Sequence, residues 1–97
     1  MKLLTIITSR DMEGEIEDLL SKAETDCYVK MPEAYGINHR CQGMIGDSLP
    51  WDATVLMVAG EQEKLERLAG DIKRIGTSKT YKPCLRMMLS PVDKVWM

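Results

Sequence analysis

The side chains best suited to chemistry lie between positions 33 and 52, in the stretch EAYGINHRCQGMIGDSLPWD. It contains the only histidine, His39, with Cys41 two residues later and Met44 close behind. Imidazole and sulfur are ligands that copper and zinc accept, so a metal-binding pair is one interpretation. Cys41 as a nucleophile with His39 as its base is a second. However, a loop does not fix side chains two residues apart, and no oxyanion donor is indicated, so we do not expect an enzyme.

The same stretch is predicted to be a long loop, because Gly36, Gly43, Gly46 and Pro50 interrupt it too often for a helix or strand. Loops of this length in compact domains usually bind something or stay disordered. Tyr35 and Trp51 are large amphipathic side chains of the kind that dock on a partner protein. Trp51 has a second interpretation, in which it packs over the end of a sheet. We expect this loop to contact whatever the protein recognises.

A small group of basic residues lies near the end of the chain. Lys79, Lys82 and Arg86 together could neutralise a phosphate, with lysine as a point charge and arginine as a two-pronged donor. The alternative is a solvated connector, since polar loops are ordinarily rich in lysine. Both interpretations stay open at the level of sequence.

Composition predicts one domain spanning residues 1–97. The chain has 13 basic and 15 acidic side chains, mixed along its length, which argues against a nucleic-acid binder. The opening MKLLTIITSRD lacks the cleavage site of a signal peptide, and no apolar run approaches the roughly 20 residues that cross a bilayer. We expect a soluble, cytoplasmic protein that is not inserted in a membrane. Cys27, Cys41 and Cys84 are odd in number and scattered, which favours reduced thiols.

Periodicity predicts four strands and two helices. A helix carrying Met12 to Ala23 has Ser9 or Asp11 as its cap, and a second helix runs from Glu61 to Arg74 with Gly76 as the glycine after its end. The strands are predicted at 3–8, at 27–31 where Pro32 ends the run, at 53–59 and at 84–89.

The predicted order is βαββαβ, an α+β chain. The first and third strands are apolar on both faces, and the second and fourth alternate. These patterns favour a ferredoxin-like four-stranded antiparallel sheet with the first and third strands central and both helices on one face. The uncovered face predicts a homo-oligomer that turns its sheets toward the symmetry axis. The methionines Met12, Met31, Met57 and Met87 are expected to fill the core.

Several segments together resemble the PII-like signalling proteins, relatives of the nitrogen regulatory PII proteins. They are the start MKLLTIIT, the run YVKMPEAYG, the loop exit LPWDATVLMVAG and the close MLSPVDKVW. The resemblance implies a ferredoxin-like homotrimer whose 33–52 loop, the T-loop of the family, docks on a transporter or an enzyme. It also implies that a small effector, typically ATP, ADP or AMP, binds between subunits near the loop base and the last strand. Gly36, Arg40, Gln42 and Arg86 then stand near the ligand.

Two hypotheses about function follow. In the first, the chain is a regulatory trimer without catalysis that couples binding of an anionic effector to the shape of the 33–52 loop. In the second, it is a metal-responsive trimer resembling the CutA-type proteins, with His39 and Cys41 binding a divalent metal. An enzyme ranks third.

Overall fold

A computed structural model describes residues 1–25, 28–36, 51–80 and 83–96. Its elements follow the predicted order βαββαβ. They are β1 (Lys2–Ser9), a 3₁₀ turn (Arg10–Met12), α1 (Glu13–Lys22), β2 (Tyr28–Gly36), β3 (Trp51–Gly60), α2 (Gln62–Thr77) and β4 (Leu85–Pro91).

The four strands form one antiparallel sheet in the order β2-β3-β1-β4. The two central strands are therefore β1 and β3, as their apolar residues on both faces predicted. In this register Leu4 lies opposite Val58 on one side and Leu89 on the other. The ferredoxin-like α+β fold predicted from the sequence is confirmed.

The main core lies between the sheet and the helices. Alternate residues of β1 and β3 point toward the helices because successive side chains of a strand face opposite sides. The helices contribute one apolar stripe each. The buried members of this cluster are Leu4, Ile6, Met12, Ile16, Leu20, Leu56, Val58, Leu65, Leu68 and Ile72. The prediction that both helices cover the same face is confirmed.

β2 is longer than predicted. Pro32 does not end it, because a register shift between Met31 and Ala34 lets the strand pass the proline and resume pairing with β3. Proline is tolerated on an edge strand at such an irregularity, since its missing N–H is not needed there. The prediction of a loop over 33–52 is therefore wrong at both ends, because residues 33–36 belong to β2 and residues 51–52 to β3.

Two predicted helix ends are also wrong. α1 begins after Met12, which makes no side-chain capping bond, so neither Ser9 nor Asp11 is its cap. α2 continues through Gly76 to Thr77. Gly76 is buried inside the helix, where an added Cβ would lie 3.2 Å from Cδ2 of Leu85. Its small size serves the packing of α2 against the start of β4.

No helix in the described part of the chain is long and apolar enough to span a bilayer.

Candidate functional site

The residues on either side of the 37–50 segment are held next to each other by strand pairing. Gly36 lies opposite Trp51, Tyr35 opposite Asp52 and Ala34 opposite Ala53. We call these two stretches, 34–36 and 51–53, the loop base. The segment that the sequence singled out therefore leaves the sheet and returns to it at one point.

Trp51 packs directly over Gly36. An added Cβ at Gly36 would lie 1.9 Å from Cε2 of the indole, so glycine at this position makes room for the ring. Trp51 is only 7% exposed, whereas Tyr35 is 72% exposed. Of the two interpretations of Trp51, the structure supports packing over the end of the sheet. Tyr35 remains the exposed aromatic side chain of the loop base.

A second, smaller apolar cluster surrounds Trp51. It contains Trp51, Ala53 and Cys84, with Ile7 and Ala34 packed against them. Strand alternation puts Ile7 and Ala53 on the side of the sheet away from the helices. The cluster therefore joins the loop base to the residue before β4, whose carbonyl oxygen accepts a 2.9 Å bond from the backbone N–H of Ser9.

Cys84 is disulfide-bonded. The expectation of reduced thiols is therefore wrong for Cys84. An odd number of scattered cysteines did not reveal this, because spacing along a chain does not say which cysteines the fold brings together.

Two polar atoms at this end of the sheet are buried and have no hydrogen-bond partner among the described residues. They are Oγ of Ser9 and Nε1 of Trp51. Ser9 lies opposite Ala53 in the β1–β3 register, two residues from Trp51. The indole N–H can only donate, and the hydroxyl can donate or accept. A buried polar group without a partner costs about 1–3 kcal/mol, so a ligand with an acceptor would find an unmet donor here.

Arg10 fastens the loop base to the end of β1. Its Nη2 donates to the Pro32 carbonyl oxygen at 3.2 Å, and its Nη1 lies 3.7 Å from a carboxylate oxygen of Asp52. It therefore contacts both strands that carry the 37–50 segment. Sequence reasoning missed Arg10, and its only signal was a basic residue directly after a buried strand.

A network of charged and polar side chains holds β2 from the helix side. Lys30 forms ion pairs with Glu13 and Glu17 of α1. The hydroxyl of Thr54 donates to Glu13 at 2.9 Å, and that of Tyr28 donates to Glu17 at 3.0 Å. Sequence reasoning missed this network too, although two glutamates four residues apart share one face of a helix.

The network shifts three pKa values. Hydrogen bonds from Lys30 and then Thr54 lower the pKa of Glu13, because they favour its charged form. The hydrogen bond to Glu13 and then that to Glu17 raise the pKa of Lys30. The hydrogen bond to Glu17 raises the pKa of the Tyr28 hydroxyl. These charges stabilise the position of β2, which carries one half of the loop base.

The structure separates two of the three predicted phosphate contacts. Lys79 forms an ion pair with Glu15 of α1, on the helix side of the sheet. Arg86 of β4 lies opposite Ile7 of β1 and is exposed on the other side of the sheet, two residues after Cys84. Lys79 also lines a cavity of about 530 Å³ between α2 and β4, together with Pro83 and Leu85. Of these two residues, Arg86 lies on the same face of the sheet as the small cluster.

The remaining predicted site residues lie outside the described residues. They are His39, Arg40, Cys41, Gln42, Met44 and Lys82. The metal-binding interpretation of His39 and Cys41 therefore stays a prediction, as does the ligand role of Arg40, Gln42 and Lys82.

The face of the sheet away from the helices is apolar, and no other element in the described part of the chain covers it. We call it the open face. Val29 and Met31 of β2 are 53% and 43% exposed, and Met88 of β4 is 50% exposed. Strand alternation and register add the half-buried side chains of the central strands. Its residues are Leu3, Thr5, Ile7, Val29, Met31, Val55, Met57 and Met88.

Two methionines expected in the core lie on this open face instead. Met12 is buried and Met87 packs against the main core, as predicted. Met31 and Met57 point to the other side of their strands, so that prediction is wrong for them. Flexible apolar side chains on an exposed face suit a surface that is covered by another protein chain.

No family model matches the sequence, and no curated protein matches it. Solved structures do. A DUF3240 family protein from Shewanella baltica OS155 superposes with a TM-score of 0.76 at 13% identity, covering 99% of this chain and 93% of that one. The apo form of CPII from Thiomonas intermedia K12, a nitrogen regulatory PII-like protein, superposes with a TM-score of 0.64 at 16% identity, covering 91% and 86%.

At this identity the likeness concerns the fold. Nearly the whole chain is included, and the described elements follow the predicted arrangement. The chain therefore has the ferredoxin-like fold of the PII-like proteins, as the sequence resemblance implied.

Proposed function

We propose that this protein is a PII-like regulatory homotrimer that binds a small anionic effector between subunits and docks on a partner protein through its loop. The observation that carries this proposal is the position of the loop base at one end of the apolar open face. A chain that assembles through that face places its loop base at a subunit boundary. Binding at the boundary can then change the shape of the adjoining loop.

Assembly follows from the composition of the open face. Monomers rarely expose a contiguous apolar patch of this kind, and larger ones usually mark an interface. Both central strands contribute apolar side chains to it, and the helices lie on the opposite side of the sheet. A closed ring of three copies is what the resemblance to the PII-like proteins implies.

The effector site is proposed at the loop base, beside the small apolar cluster. Arg86 supplies a guanidinium that suits phosphate oxygens. Ser9 and Trp51 supply the two unmet polar atoms, which suit acceptors on the same ligand. An adenine nucleotide carries both kinds of group. Lys79 contributes less in this proposal, because Glu15 already neutralises it.

The docking element is proposed to be the 37–50 segment with the exposed Tyr35 beside it. The loop base fixes where the segment leaves the sheet, through strand pairing and through Arg10. A regulated transporter or enzyme is the kind of partner that the PII-like resemblance implies. The protein itself is proposed to be non-enzymatic.

Thermal shift tests the effector site. ATP, ADP or AMP should raise the melting temperature of the wild type by mass action. Arg86→Ala should abolish the shift in melting temperature. Arg74→Ala, at an exposed position of α2, should retain it. An equal response of both variants would contradict a role for Arg86.

The same screen tests the metal-responsive alternative. A melting response only to copper, zinc or nickel, abolished by His39→Ala, would replace the nucleotide proposal. A response to neither ligand class would contradict both.

A further inference from the structure

We propose that the groove between the two helices is a docking site for an acidic peptide segment of a partner protein. The groove lies on the outer side of the helical layer and has a volume of about 470 Å³. Its lining residues are Leu19, Lys22, Ala23, Glu24, Lys64, Arg67, Leu68 and Asp71. This proposal goes beyond the effector site and the loop, because it uses a different face of the molecule.

Charge selects the class of partner. Lys22 and Arg67 form no ion pair with any other residue of the ranges 1–25, 28–36, 51–80 and 83–96. Asp71, the acid on the α2 side, is already paired with Arg74 at 3.2 Å. The groove is lined by three cations, Lys22, Lys64 and Arg67. Among the described residues only one lining carboxylate, Glu24, is left without an ion pair to offset them, so cations are in excess and complementary carboxylates would steer toward them.

The apolar side chains on the floor of the groove favour binding of a peptide over binding of a small inorganic anion. Leu19 and Ala23 are half-buried on the floor of the groove and pack against the core that contains Leu68, which is itself only 3% exposed. A small inorganic anion has nothing to bury there, whereas a peptide with an apolar side chain between acidic ones satisfies both surfaces.

The end of α1 adds a second observation at the same groove. Glu24 follows the helix with φ of 54°, a left-handed conformation that non-glycine residues adopt at a cost. Nζ of Lys64 donates to its carbonyl oxygen at 3.0 Å and so holds this turn against α2. The turn is an ordinary left-handed helix ending, and it fixes one wall of the groove.

The groove also stays accessible in the proposed assembly. Helices and open face lie on opposite sides of the sheet. Copies that meet through the open face leave the outer side of the helices to solvent, so each subunit of a trimer would present one groove.

A peptide titration monitored by ¹H–¹⁵N NMR tests the proposal on the full chain. The probe is the blocked peptide DELLDE, with KKLLKK as the charge-reversed peptide. DELLDE should shift the amide signals of Leu19, Ala23 and Leu68, and KKLLKK should not. The variant Lys22→Glu/Arg67→Glu should weaken DELLDE binding by roughly tenfold or more, since it reverses two charges at the rim.

Three controls make the result decisive. Lys2→Glu/Lys73→Glu changes the net charge equally but lies outside the groove, so it should change affinity by less than about twofold. If the Lys22→Glu/Arg67→Glu variant does not fold, the Lys22→Ala/Arg67→Ala variant is used in its place. Pyrophosphate should leave the groove signals unshifted.

Several outcomes would overturn the proposal. The first is that the amide signals of the groove residues do not shift at about 1 mM DELLDE. The second is an equal loss of DELLDE affinity in Lys22→Glu/Arg67→Glu and Lys2→Glu/Lys73→Glu. The third is that pyrophosphate shifts the same amide signals. None of these results depends on nucleotide binding or on the oligomeric state, which are measured separately.

Discussion

The two faces of the sheet are built from alternate residues of the same strands but meet different surroundings. On the helix face, Ile6 and Leu56 are fully buried within one chain. On the open face, Val55 and Met57, which flank Leu56 in β3, are only half-buried. Both faces are apolar, and the described residues of one chain complete the burial of only one. From this difference we expect folding and assembly to be separable: the helix face should decide whether the protomer folds, and the open face whether copies associate.

The largest expected effect is on the helix face. Leu56→Ala removes a fully buried side chain from the main core and should cost about 2–5 kcal/mol of unfolding free energy. Urea denaturation at low protein concentration measures this loss. Val29→Ala, on the open face of edge strand β2, should cost under about 0.5 kcal/mol under the same conditions. Similar losses for both variants would contradict the comparison.

The next effect concerns association. Met57→Glu puts a carboxylate on the open face, where association would bury it unpaired, so the association constant should fall by roughly a hundredfold. Circular dichroism should show that the fold is kept. Ser21→Glu adds the same charge at an exposed position of α1 and should leave the association constant unchanged. A Met57→Glu protein that assembles like the wild type would exclude the open face as the interface.

A smaller effect is expected at the loop end of the open face. Gly36→Ala places a methyl group 1.9 Å from an atom of the Trp51 indole, so the ring must move. We expect a loss of about 1–3 kcal/mol in the unfolding free energy and a changed tryptophan emission spectrum. Gly70→Ala is the matched control: nothing lies within 4 Å of its added methyl, and it should stabilise α2 by about 0.5–1 kcal/mol. Unchanged emission in Gly36→Ala would contradict the packing of Trp51 on that glycine.

The smallest effect is the pH dependence contributed by Glu13. Folding lowers its pKa, so its stabilising contribution is present above its unfolded pKa and is lost as pH falls through the lower folded value. Glu13→Gln should therefore reduce the drop in unfolding free energy between pH 7 and about pH 4. An identical pH profile for Glu13→Gln and wild type would show that the Lys30 network does not stabilise β2.

Much of the fold could be predicted because, along most helices and strands, the spacing of apolar residues in the sequence matches the residues that are buried in the structure. Apolar residues on both faces of β1 and β3 identified the central strands, and right-handed connections then left one arrangement. The errors have local causes. Proline predicts the end of a strand, but the irregularity that lets β2 pass Pro32 depends on pairing with β3. Glycine predicts the end of a helix, but Gly76 is required by close packing against Leu85, which is distant in sequence.

The candidate site was less predictable for a related reason. Sequence pointed to Gly36 and Trp51 separately, but their contact depends on the β2–β3 register. Arg10 and the Glu13–Lys30 pair gave no motif, since ion pairs between distant elements have no fixed spacing. Lys79 and Arg86 looked like one basic group because they are close in sequence, yet Lys79 pairs with α1 and Arg86 faces the other side of the sheet.

Sedimentation of the wild type tests the central claim most directly, because no other described element of the chain covers the open face. We predict a single species with the mass of three chains at micromolar concentration, which breaks down on the Met57→Glu substitution. A stable, well-behaved protomer of 11.0 kDa across the micromolar range would contradict the account.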